Sequence, residues 1–473
     1  MKDKLRPFQK RGISWLESVK GIGLLADEMG LGKSAQAITY LFLNPELRPA
    51  LVICPASIKI NWQREIEKWS NEESIILYGK KSTHINNSLW YIINYDVLAE
   101  EIKIDTGKKN KKGKIIYKKV LKDTSWIFKL ASMGIKVIII DECQFIMSDT
   151  AIRSKAVMTL KKILLTAKFI VLSGTPIKNR PKEFQVILSM LSPKNKLLTN
   201  RWKYLFRFCN PKHNGFGWTF DGATNIDQLQ ELIKPLMLRR TKDEVLKDLP
   251  PKQRIIIPLE TDKVALKNYE DATEQFRIWA KDHIDKGLDL QINIDRLKQL
   301  AYLAKRNSVI KWLEEYPENK LVVATYHKNT LEDLYTHFKK ISVFIDGGIT
   351  GIERQKAIDT FQKDSKTKFI FLQILCAPGM TLTSANATCT IEFAWSPSEH
   401  FQLEDRVHRM TQEADSVFAY YLIAPKTIEE DIISLIDTKQ VVLGKLLDGK
   451  ENDKIFNQND IVKNILKIFK DSI

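Results

Sequence analysis

Cysteine is scarce in this sequence, and its positions form no recognisable site. The 473 residues include only five cysteines, Cys54, Cys143, Cys209, Cys376 and Cys389. None of them belongs to a C-x-x-C pair, and no set of cysteines and histidines has the spacing of a zinc site. This distribution excludes a disulfide-stabilised scaffold and a zinc-finger module, and it is typical of free thiols in a reducing compartment.

Long apolar runs are also missing. No stretch approaches the roughly 18 apolar residues that a membrane span requires, and the segment from Met1 to Lys4 does not begin a signal region. We therefore expect a soluble intracellular protein without a membrane partner. It would be cytoplasmic and nucleoid-associated in a prokaryote or phage, and nuclear in a eukaryote.

Basic residues are in excess. Lysine and arginine number 74 against 57 aspartates and glutamates, which gives a formal net charge of +17. Such an excess favours a polyanionic partner, and nucleic acid is the first candidate. The alternative is a general bias of the source proteome toward lysine, because isoleucine and asparagine are abundant as well.

The segment from Asp27 to Ser34 has the pattern of a phosphate-binding loop. It follows an apolar run, Ile22 to Ala26, that reads as a buried strand, and a helix-forming segment comes after it. In such a loop Lys33 can reach the β- and γ-phosphates and the Ser34 hydroxyl can ligate Mg²⁺. Asp27 stands where the general pattern has its first glycine. The alternative is a glycine-rich turn that only caps a helix.

Two further apolar runs end in polar residues. Val137 to Ile140 leads into Asp141 and Glu142, and a second run leads into Ser173. Buried strands that alternate with helices predict an α/β fold with parallel sheets, in which ligands bind at the carboxyl ends of the strands. Asp141 could hold Mg²⁺ through water, and Glu142 could orient and deprotonate an attacking water. An isolated acidic pair could also be a solvated strand end.

A candidate arginine pair lies far down the chain. Arg406 and Arg409 fall within the run Gln402 to Gln412, and on a helix their three-residue spacing would place them on one face. An arginine that contacts the γ-phosphate as the transition state forms would accelerate hydrolysis. The alternative is an exposed charged helix.

Together these segments resemble the Swi/Snf family of DNA-dependent ATPases within the second helicase superfamily. The matching stretches, in family order, are LRPFQ, DEMGLGKS, LVICPASIKINWQREIEKW, VIIIDECQ, LSGTPIKNRP, FIDGGITGIERQKAIDTFQ, GMTLTSA and QLEDRVHRMTQ. A narrower resemblance, to the annealing-helicase (HARP-related) branch, rests on FGWTFDG, MLRRTK and LPPKQR. It covers the motor region only.

The resemblance implies two RecA-like lobes, each with a parallel sheet, and a helical insertion between them. We place the first lobe at residues 1–235, the linker and helical insertion at 236–318, the second lobe at 319–445, and a basic tail at 446–473. ATP would bind in the cleft of the lobes and DNA would lie across both. We expect a monomer.

The resemblance also implies residue roles. ATP and Mg²⁺ would be bound by Arg6, Phe8, Gln9, Gly30, Leu31, Gly32, Lys33, Ser34, Gln402 and Asp405, with Ser34 and Asp141 at the metal. Catalysis would depend on Lys33, Asp141, Glu142, Arg406 and Arg409. Ser173 and Thr175 would couple the nucleotide state to DNA. DNA contacts are expected from Ser57, Tyr95, Thr325, Thr381 and Thr383.

Two departures from the family pattern concern coupling. Gln144 replaces the usual histidine after the acidic pair, so it can donate and accept hydrogen bonds but cannot carry charge. Cys376, Ala377 and Pro378 stand where the family often has glycines. These two departures affect segments expected to couple hydrolysis to DNA and leave the predicted hydrolytic residues unchanged.

Residues 103–122 form an insertion with nine lysines, two glycines and one acidic residue, Asp105. Strand-forming residues on both sides of the glycines predict a β-hairpin with a flexible basic tip. Its lysines, Lys108, Lys109, Lys111 and Lys112 among them, would add contacts to DNA phosphates. The alternative is a solvated, partly disordered charge run.

We therefore expect an ATP-driven translocase on double-stranded DNA that remodels forked or branched DNA by annealing or branch migration. Its contacts would be mainly to phosphates, with little sequence specificity. Two alternatives stay open: a remodeller that displaces proteins from DNA, and a DNA-binding module without catalysis. An RNA helicase is disfavoured by the family signature.

Overall fold

The computed structural model describes residues 5–80, 86–109, 115–176, 181–213, 215, 217–220, 222–283, 287–317 and 319–434. The chain divides into two compact units, Met1–Val245 and Leu246–Ile473. Within the described ranges, none of the helices combines the length and the apolar character that crossing a membrane requires.

The first unit is built on a parallel sheet. Its strands, with those of two hairpins, are β1 (Gly23–Leu25), β2 (Ala50–Cys54), β3 (Ile75–Ile76), β4 (Trp90–Asn94), β5 (Glu101–Lys109), β6 (Ile115–Leu121), β7 (Val137–Asp141), β8 (Lys168–Leu172), β9 (Lys212–His213), β10 (Trp218–Thr219) and β11 (Met237–Leu238). The seven-stranded sheet has the order β11-β1-β8-β7-β2-β4-β3, and all its pairs are parallel. The carboxyl ends of β1, β7 and β8 therefore lie side by side.

Helices surround this sheet. They are α1 (Pro7–Ser18), α2 (Lys33–Leu43), α3 (Lys59–Ser70), α4 (Tyr95–Leu98), α5 (Trp126–Ala131), α6 (Ile152–Ile163), α7 (Pro181–Leu191), α8 (Lys196–Thr199), α9 (Arg201–Phe208), α10 (Ile226–Ile233) and α11 (Lys242–Val245). Strands β2 and β4 are buried at every position, as expected for parallel strands with both faces covered. Apolar residues of α2 and α3, such as Leu41 and Trp62, pack with Val52 and Ile139 of the sheet.

The hairpin predicted within residues 103–122 is confirmed for its described part. β5 and β6 pair in antiparallel register from Glu101 opposite Leu121 to Lys109 opposite Ile115. Glu101 fixes its base, because the carboxylate lies 2.6 Å from Lys155 Nζ and 3.5 Å from Lys119 Nζ. The tip, residues 110–114, lies outside the described residues and includes Lys111 and Lys112.

The second unit has its own parallel sheet. Its strands are β12 (Lys252–Pro258), β13 (Leu321–Thr325), β14 (Ser342–Ile345), β15 (Phe369–Gln373), β16 (Ala387–Thr390) and β17 (Val417–Ile423). Their order is β12-β17-β16-β13-β15-β14, and every pair is parallel. The prediction of two α/β units with parallel sheets is therefore confirmed.

The helices of the second unit include the segment that we predicted as an insertion. They are α12 (Lys263–His283), α13 (Gly287–Glu315), α14 (Lys328–Phe338), α15 (Gly351–Lys363) and α16 (Pro397–Glu404). Tyr269 and Phe276 of α12 and Leu297 of α13 pack in one cluster with Phe393 and Tyr421. α12 and α13 thus belong to the core of the second unit.

The ends of the predicted linker, residues 236–318, differ from the observed division. β11 pairs with β1 in the sheet of the first unit, and β12 pairs with β17 in the second. The reason is edge pairing: β11 and β12 each add an edge strand to a sheet whose neighbouring strand lies far away in sequence. Such pairing leaves no local signal beyond a few apolar residues.

Candidate active site

The phosphate-loop segment has the backbone geometry expected of an anion site. Gly30 and Gly32 have φ angles of 86° and 73°, which suit glycine because it lacks a Cβ. α2 begins at Lys33, so its N-terminal amides and the positive end of its dipole point toward the loop. Lys33 Nζ donates to the carbonyl of Asp27 at 2.7 Å and to that of Glu28 at 3.3 Å. The lysine is thus held directly over the loop, and Ser34 follows in the first turn of α2.

Asp27, at the position where the general pattern has a glycine, is a buried charge with partners. Arg240 Nε donates to its Oδ1 at 2.9 Å, and Arg240 Nη2 forms a close ion pair with Oδ2. Gln36 Nε2 donates to the same Oδ2 at 3.1 Å. The departure from the pattern is therefore structural, because Asp27 joins the loop to α2 and to the segment after β11.

Gln9 is joined to the phosphate loop. Its Nε2 donates to the carbonyl of Leu31 at 3.3 Å, and its Oε1 accepts from the backbone N–H of Arg6 at 3.0 Å. The Arg240 guanidinium lies 5.4 Å from the centroid of the Phe8 ring. Gln9 thus contacts the loop directly and Arg6 is bonded to Gln9, while the binding of adenine by Arg6, Phe8 and Gln9 stays a prediction.

The acidic pair lies at the end of β7, and its first member is held on both carboxylate oxygens. Trp62 Nε1 donates to Asp141 Oδ2 at 2.7 Å, and the backbone N–H of Glu142 donates to Oδ1 at 2.9 Å. Tyr95 Oη donates to the backbone carbonyl of Asp141 at 2.6 Å. Glu142 has a φ of 54°, a strained conformation for a non-glycine residue that is typical of functional sites.

Burial shifts the pKa values of Asp141 and of the neighbouring Lys33. Desolvation, with the neighbouring Glu142 charge, raises the pKa of Asp141 to about 7, while the Trp62 hydrogen bond and Lys33 oppose the shift. Burial also lowers the pKa of Lys33, against the attraction of Glu142, Asp27 and Asp141. A bound cation or phosphate would favour the charged forms of Asp141 and Lys33 respectively.

A hydrogen-bonded chain leads from the acidic pair to the end of the neighbouring strand. Gln144 Nε2 donates to Glu142 Oε2 at 2.6 Å. Ser173 Oγ donates to Gln144 Oε1 at 2.9 Å, and the backbone N–H of Thr175 donates to Ser173 Oγ at 3.0 Å. Gln144 uses both ends of its amide here, so it connects the two predicted functional segments without carrying charge.

The loop after β8 also approaches the phosphate loop closely. A Cβ on Gly174 would collide with the side chain of Met29 and lie 3.2 Å from the backbone N of Met29. Arg239 Nη1 donates to the carbonyl of Ala26 at 3.0 Å and to that of Gly174 at 3.3 Å. Gly174 therefore permits a contact that a side chain would prevent, and Arg239 stabilises it.

In the second unit, the prediction that Arg406 and Arg409 share a helix face is wrong. α16 ends at Glu404, and residues 405–411 form turns. The cause is a tertiary contact, because the carbonyl of Arg406 accepts a bond from the N–H of Leu382 at 3.0 Å. Arg406 Nε donates to the carbonyl of Gln402 at 2.6 Å, whereas Arg409 Nη1 donates to Thr381 Oγ1 at 2.6 Å.

The remaining predicted residues of the second unit lie around this turn. Gln402 and Asp405 are buried, and Asp405 Oδ1 lies 3.7 Å from Lys252 Nζ. Thr411 Oγ1 lies 3.5 Å from Thr383 Oγ1. Thr381 and Thr383 are thus brought together with the segment of the two arginines, while their contact with DNA stays a prediction.

Two predicted DNA contacts have inaccessible side chains. Tyr95 is 2% exposed and stacks on Phe145, and Thr325 is fully buried with its hydroxyl donating to the carbonyl of His327. Their side chains therefore support the interior instead of facing a ligand, which corrects the prediction for both. Ser57 is partly exposed and Lys108 is exposed.

Sequence reasoning did not identify three residues of the site: Trp62, Arg239 and Arg240. All three lay within stretches that carried the family resemblance, but no local pattern shows that an indole reaches a carboxylate 79 positions away. The consecutive arginines after β11 were the one available signal. Adjacent basic residues next to a strand in a phosphate-binding unit are candidates for an ion pair with a buried acidic residue of that unit.

Comparison with known proteins shows the family. The model of the SNF2-related domain matches residues 8–308, more than half of the 473 residues. This chain belongs to the SNF2-related family. The model of the helicase conserved C-terminal domain matches residues 304–411 of the same SNF2-related chain. The predicted enzyme class, a DNA-dependent ATPase of the helicase type, is confirmed at this level, and nucleotide binding follows from it.

Relatives of this SNF2-related chain are longer than it is. The human "DNA annealing helicase and endonuclease ZRANB3" is 30% identical over 469 residues, which are 95% of this chain and 41% of that protein. The Xenopus laevis "SWI/SNF-related matrix-associated actin-dependent regulator of chromatin subfamily A-like protein 1" is 31% identical, over 93% of this chain and 44% of that protein. The chain therefore spans less than half the length of these two relatives. The "Sulfolobus solfataricus SWI2/SNF2 ATPase core in complex with dsDNA" is 23% identical, with a TM-score of 0.41 and coverage of 99% of this chain and 95% of that chain.

Proposed function

We propose that this SNF2-related chain is an ATP-driven motor that moves along double-stranded DNA and remodels forked or branched DNA by annealing or branch migration. The observation that carries the proposal is the hydrogen-bonded chain from Glu142 through Gln144 to Ser173 and Thr175. It joins Glu142, which is suited to activating water, to Ser173 and Thr175 after β8, which we assign to coupling. Support for the DNA substrate comes from the name of the human relative, an annealing helicase.

The residues of the first unit fit a nucleotide and Mg²⁺. The positive-φ glycines and the N-terminus of α2 suit the phosphates, and Lys33 Nζ is already positioned over the loop. Ser34 and Asp141 would hold Mg²⁺, which would neutralise charge on the phosphates when bound. Glu142 would orient and deprotonate the attacking water, and Lys33 would stabilise the negative charge of the γ-phosphate.

Arg406 and Arg409 of the second unit are proposed to complete catalysis. An arginine that contacts the γ-phosphate only in the transition state raises turnover without tightening ground-state binding. Arg409 is the better residue to test, because Arg406 is 3% exposed and bonded to two backbone carbonyls. Arg409→Ala should lower DNA-stimulated turnover while DNA binding is retained; full turnover would remove Arg409 from the mechanism.

The β5–β6 hairpin is proposed as an element that acts at DNA junctions. Lys103, Lys108, Lys118 and Lys119 of its described part are exposed, and each phosphate they neutralise would steepen the log-log salt dependence of binding by close to one unit. Replacing residues 106–114 with a short Gly-Ser link should leave ATPase on plain duplex intact and reduce processing of forks and four-way junctions. Equal loss on all substrates would mark a general clamp, and no loss would remove the role.

The experiment that tests the proposal compares ATP turnover with single-stranded, duplex, forked and four-way DNA, side by side. We expect stimulation by duplex and the largest stimulation by forked or four-way DNA. The same reactions should convert a fork or junction into reannealed products only when ATP is hydrolysed. Stimulation confined to single strands, or displacement of bound protein without any change in DNA structure, would contradict the annealing function.

A further inference from the structure

An exposed cluster of aromatic rings lies on the first unit and includes none of the residues assigned to the active site above. It consists of Trp202 and Phe206 of α9 and of Trp218 and Phe220 at β10, and we call it the aromatic platform. Trp202, Trp218 and Phe206 are 60%, 49% and 42% exposed. Side chains of this size are normally buried, so their exposure together requires an explanation.

The platform is a built arrangement. The ring of Phe206 lies 4.9 Å from that of Trp218 and 5.3 Å from that of Phe220, and Trp202 lies 5.8 Å from Phe220. These edge-to-face contacts fix the rings relative to each other. Four rings, steeply inclined to one another, are therefore held in place before any ligand arrives.

Folding of α9 does not require these exposed rings. The opposite side of the helix is buried through Tyr204, Leu205 and Phe208. Tyr204 Oη donates to the carbonyl of Pro181 at 2.8 Å, which anchors α9 to α7. The helix thus has one aromatic face that packs in the unit and a second one that faces solvent.

Basic residues lie beside the α9 part of the platform. Residues 200–213 contain three arginines and lysines besides Arg201, namely Lys203, Arg207 and Lys212, and no aspartate or glutamate. Lys203 and Arg207 are exposed on α9, and Lys203 lies three residues before Phe206, which places these two side chains next to each other on the helix. Arg201 is paired with Asp149 at 2.9 Å, and Arg207 Nε donates to Gln228 at 2.7 Å. The remaining charge complements a polyanion.

We propose that the aromatic platform binds unpaired nucleotides of DNA, whose bases stack on Trp202 and Trp218 while Lys203 and Arg207 contact the phosphates. Aromatic side chains interleaved with cations are how single strands are bound without sequence preference, because every base has a flat π surface. The inference rests on the proposed function, because that function identifies DNA as the nucleic acid that is bound. It adds a site for the single strand exposed where a duplex opens, distinct from duplex binding by the motor.

The test uses the 473-residue chain without nucleotide. Binding of a fluorescent oligothymidylate is measured by anisotropy, with duplex DNA measured in parallel. Trp202→Ala should weaken binding of oligothymidylate roughly 5- to 100-fold, the usual effect of losing one stacking ring. Trp202→Phe keeps a ring and should keep affinity. Phe128→Ala, which removes another exposed ring of the first unit, is the matched control and should bind as wild type.

Two measurements separate stacking from a structural role of the rings. Oligothymidylate should quench tryptophan fluorescence, and Trp202→Phe should reduce this quenching although affinity is retained. Lys203→Glu, which changes no ring, should also weaken oligothymidylate binding. Duplex-stimulated ATPase should be unchanged in all these variants. If the wild type itself shows no stimulation by duplex, the proposed motor function is contradicted, whereas the aromatic platform is still tested by oligothymidylate binding. Unchanged oligothymidylate affinity in both Trp202→Ala and Lys203→Glu, or equal loss of duplex binding, would overturn the platform.

Discussion

Trp62 donates its indole N–H to the carboxylate of Asp141 at 2.7 Å. The indole is buried in α3, and the carboxylate ends β7, so the bond joins two motifs far apart in the chain. Hydrogen bonding to an ionised carboxylate favours the charged form. Trp62 therefore lowers the pKa of Asp141, against the burial and the Glu142 charge that raise it to about 7.

Trp62→Phe should move the acid limb of the pH profile of ATP turnover to higher pH. The carboxylate of Asp141 must be charged to hold Mg²⁺, and the variant loses a bond to that charged form. Hydrogen bonds to charged groups contribute about 1.5–3 kcal/mol, which corresponds to a rise of roughly one to two pH units. Turnover should therefore fall at pH 7 and recover toward pH 9.

The matched control for this variant is on the same helix. Trp69 donates its indole N–H to Glu65 at 2.9 Å, away from the acidic pair. Trp69→Phe should leave the pH profile unchanged. A profile of Trp62→Phe that is lowered equally at every pH would mean that Trp62 only supports the fold.

Gln144→Ala should separate hydrolysis from its stimulation by DNA. The variant removes both bonds that connect Glu142 to Ser173, whereas Glu142, Lys33 and Asp141 stay in place. We expect basal turnover within a few-fold of wild type and most of the DNA stimulation lost, as measured by steady-state ATPase with and without duplex.

Gln144→His is the informative companion, since histidine is the residue that the family usually has here. Its ring can donate to Glu142 and accept from Ser173 in one tautomer, so DNA stimulation should be largely retained. Full DNA stimulation in Gln144→Ala would show that the hydrogen-bonded chain does not transmit the signal.

The sequence was sufficient to predict the parts of the site that follow one another in the chain. The phosphate loop, its helix and the apolar run before Asp141 are local patterns. Their structure follows from the order of residue types within one short segment. The two parallel sheets followed for the same reason, because buried strands such as β2 and β7 are almost entirely apolar.

What the sequence could not predict are contacts between distant segments. Tyr95 was assigned to DNA, yet its hydroxyl supports the backbone of Asp141. Helical spacing predicts a shared face for Arg406 and Arg409, but α16 ends at Glu404 and the carbonyl of Arg406 accepts a hydrogen bond from Leu382. The sequence shows Asp27 only as a departure from the general pattern, whereas the fold shows that Arg240 neutralises it.

Arg240→Ala should destabilise the first unit strongly. It leaves Asp27, which is fully buried, without its charged partner, and breaking a buried pair in this way costs about 3–5 kcal/mol. Urea unfolding monitored by tryptophan fluorescence measures the loss. The double variant Asp27→Asn with Arg240→Ala should recover part of it, and a loss under about 1 kcal/mol in the single variant would contradict a structural role for the pair.

Lys298 predicts a pH-dependent stability of the second unit. It is 2% exposed, its Nζ lies 3.3 Å from the centroid of the Tyr326 ring and 4.9 Å from that of Trp395, and burial lowers its pKa to about 8. The unfolded chain, with the ordinary lysine pKa of 10.5, binds the proton more tightly than the folded chain does. The free energy of unfolding is therefore lowered by this lysine most strongly below pH 8, and it rises as the pH increases toward 10.5.

The measurement compares the wild type with Lys298→Met, which does not titrate. Between pH 7.5 and 9.5 the free energy of unfolding of the wild type should rise by about 2 kcal/mol relative to the variant. Other titrating groups are common to both proteins and cancel in the difference. A difference that is constant over this range would mean that Lys298 keeps its ordinary pKa.

The central claim is that the first unit hydrolyses ATP through Glu142 and that DNA stimulates this step. The most direct test is steady-state ATP turnover of wild type and Glu142→Gln, with and without duplex DNA, together with ATP binding by both proteins. Glutamine keeps the shape but loses the charge that deprotonates water. We predict strong stimulation of the wild type by duplex, and in Glu142→Gln retained ATP binding without turnover. Turnover of Glu142→Gln near that of the wild type, or a wild type that no duplex stimulates, would contradict the account.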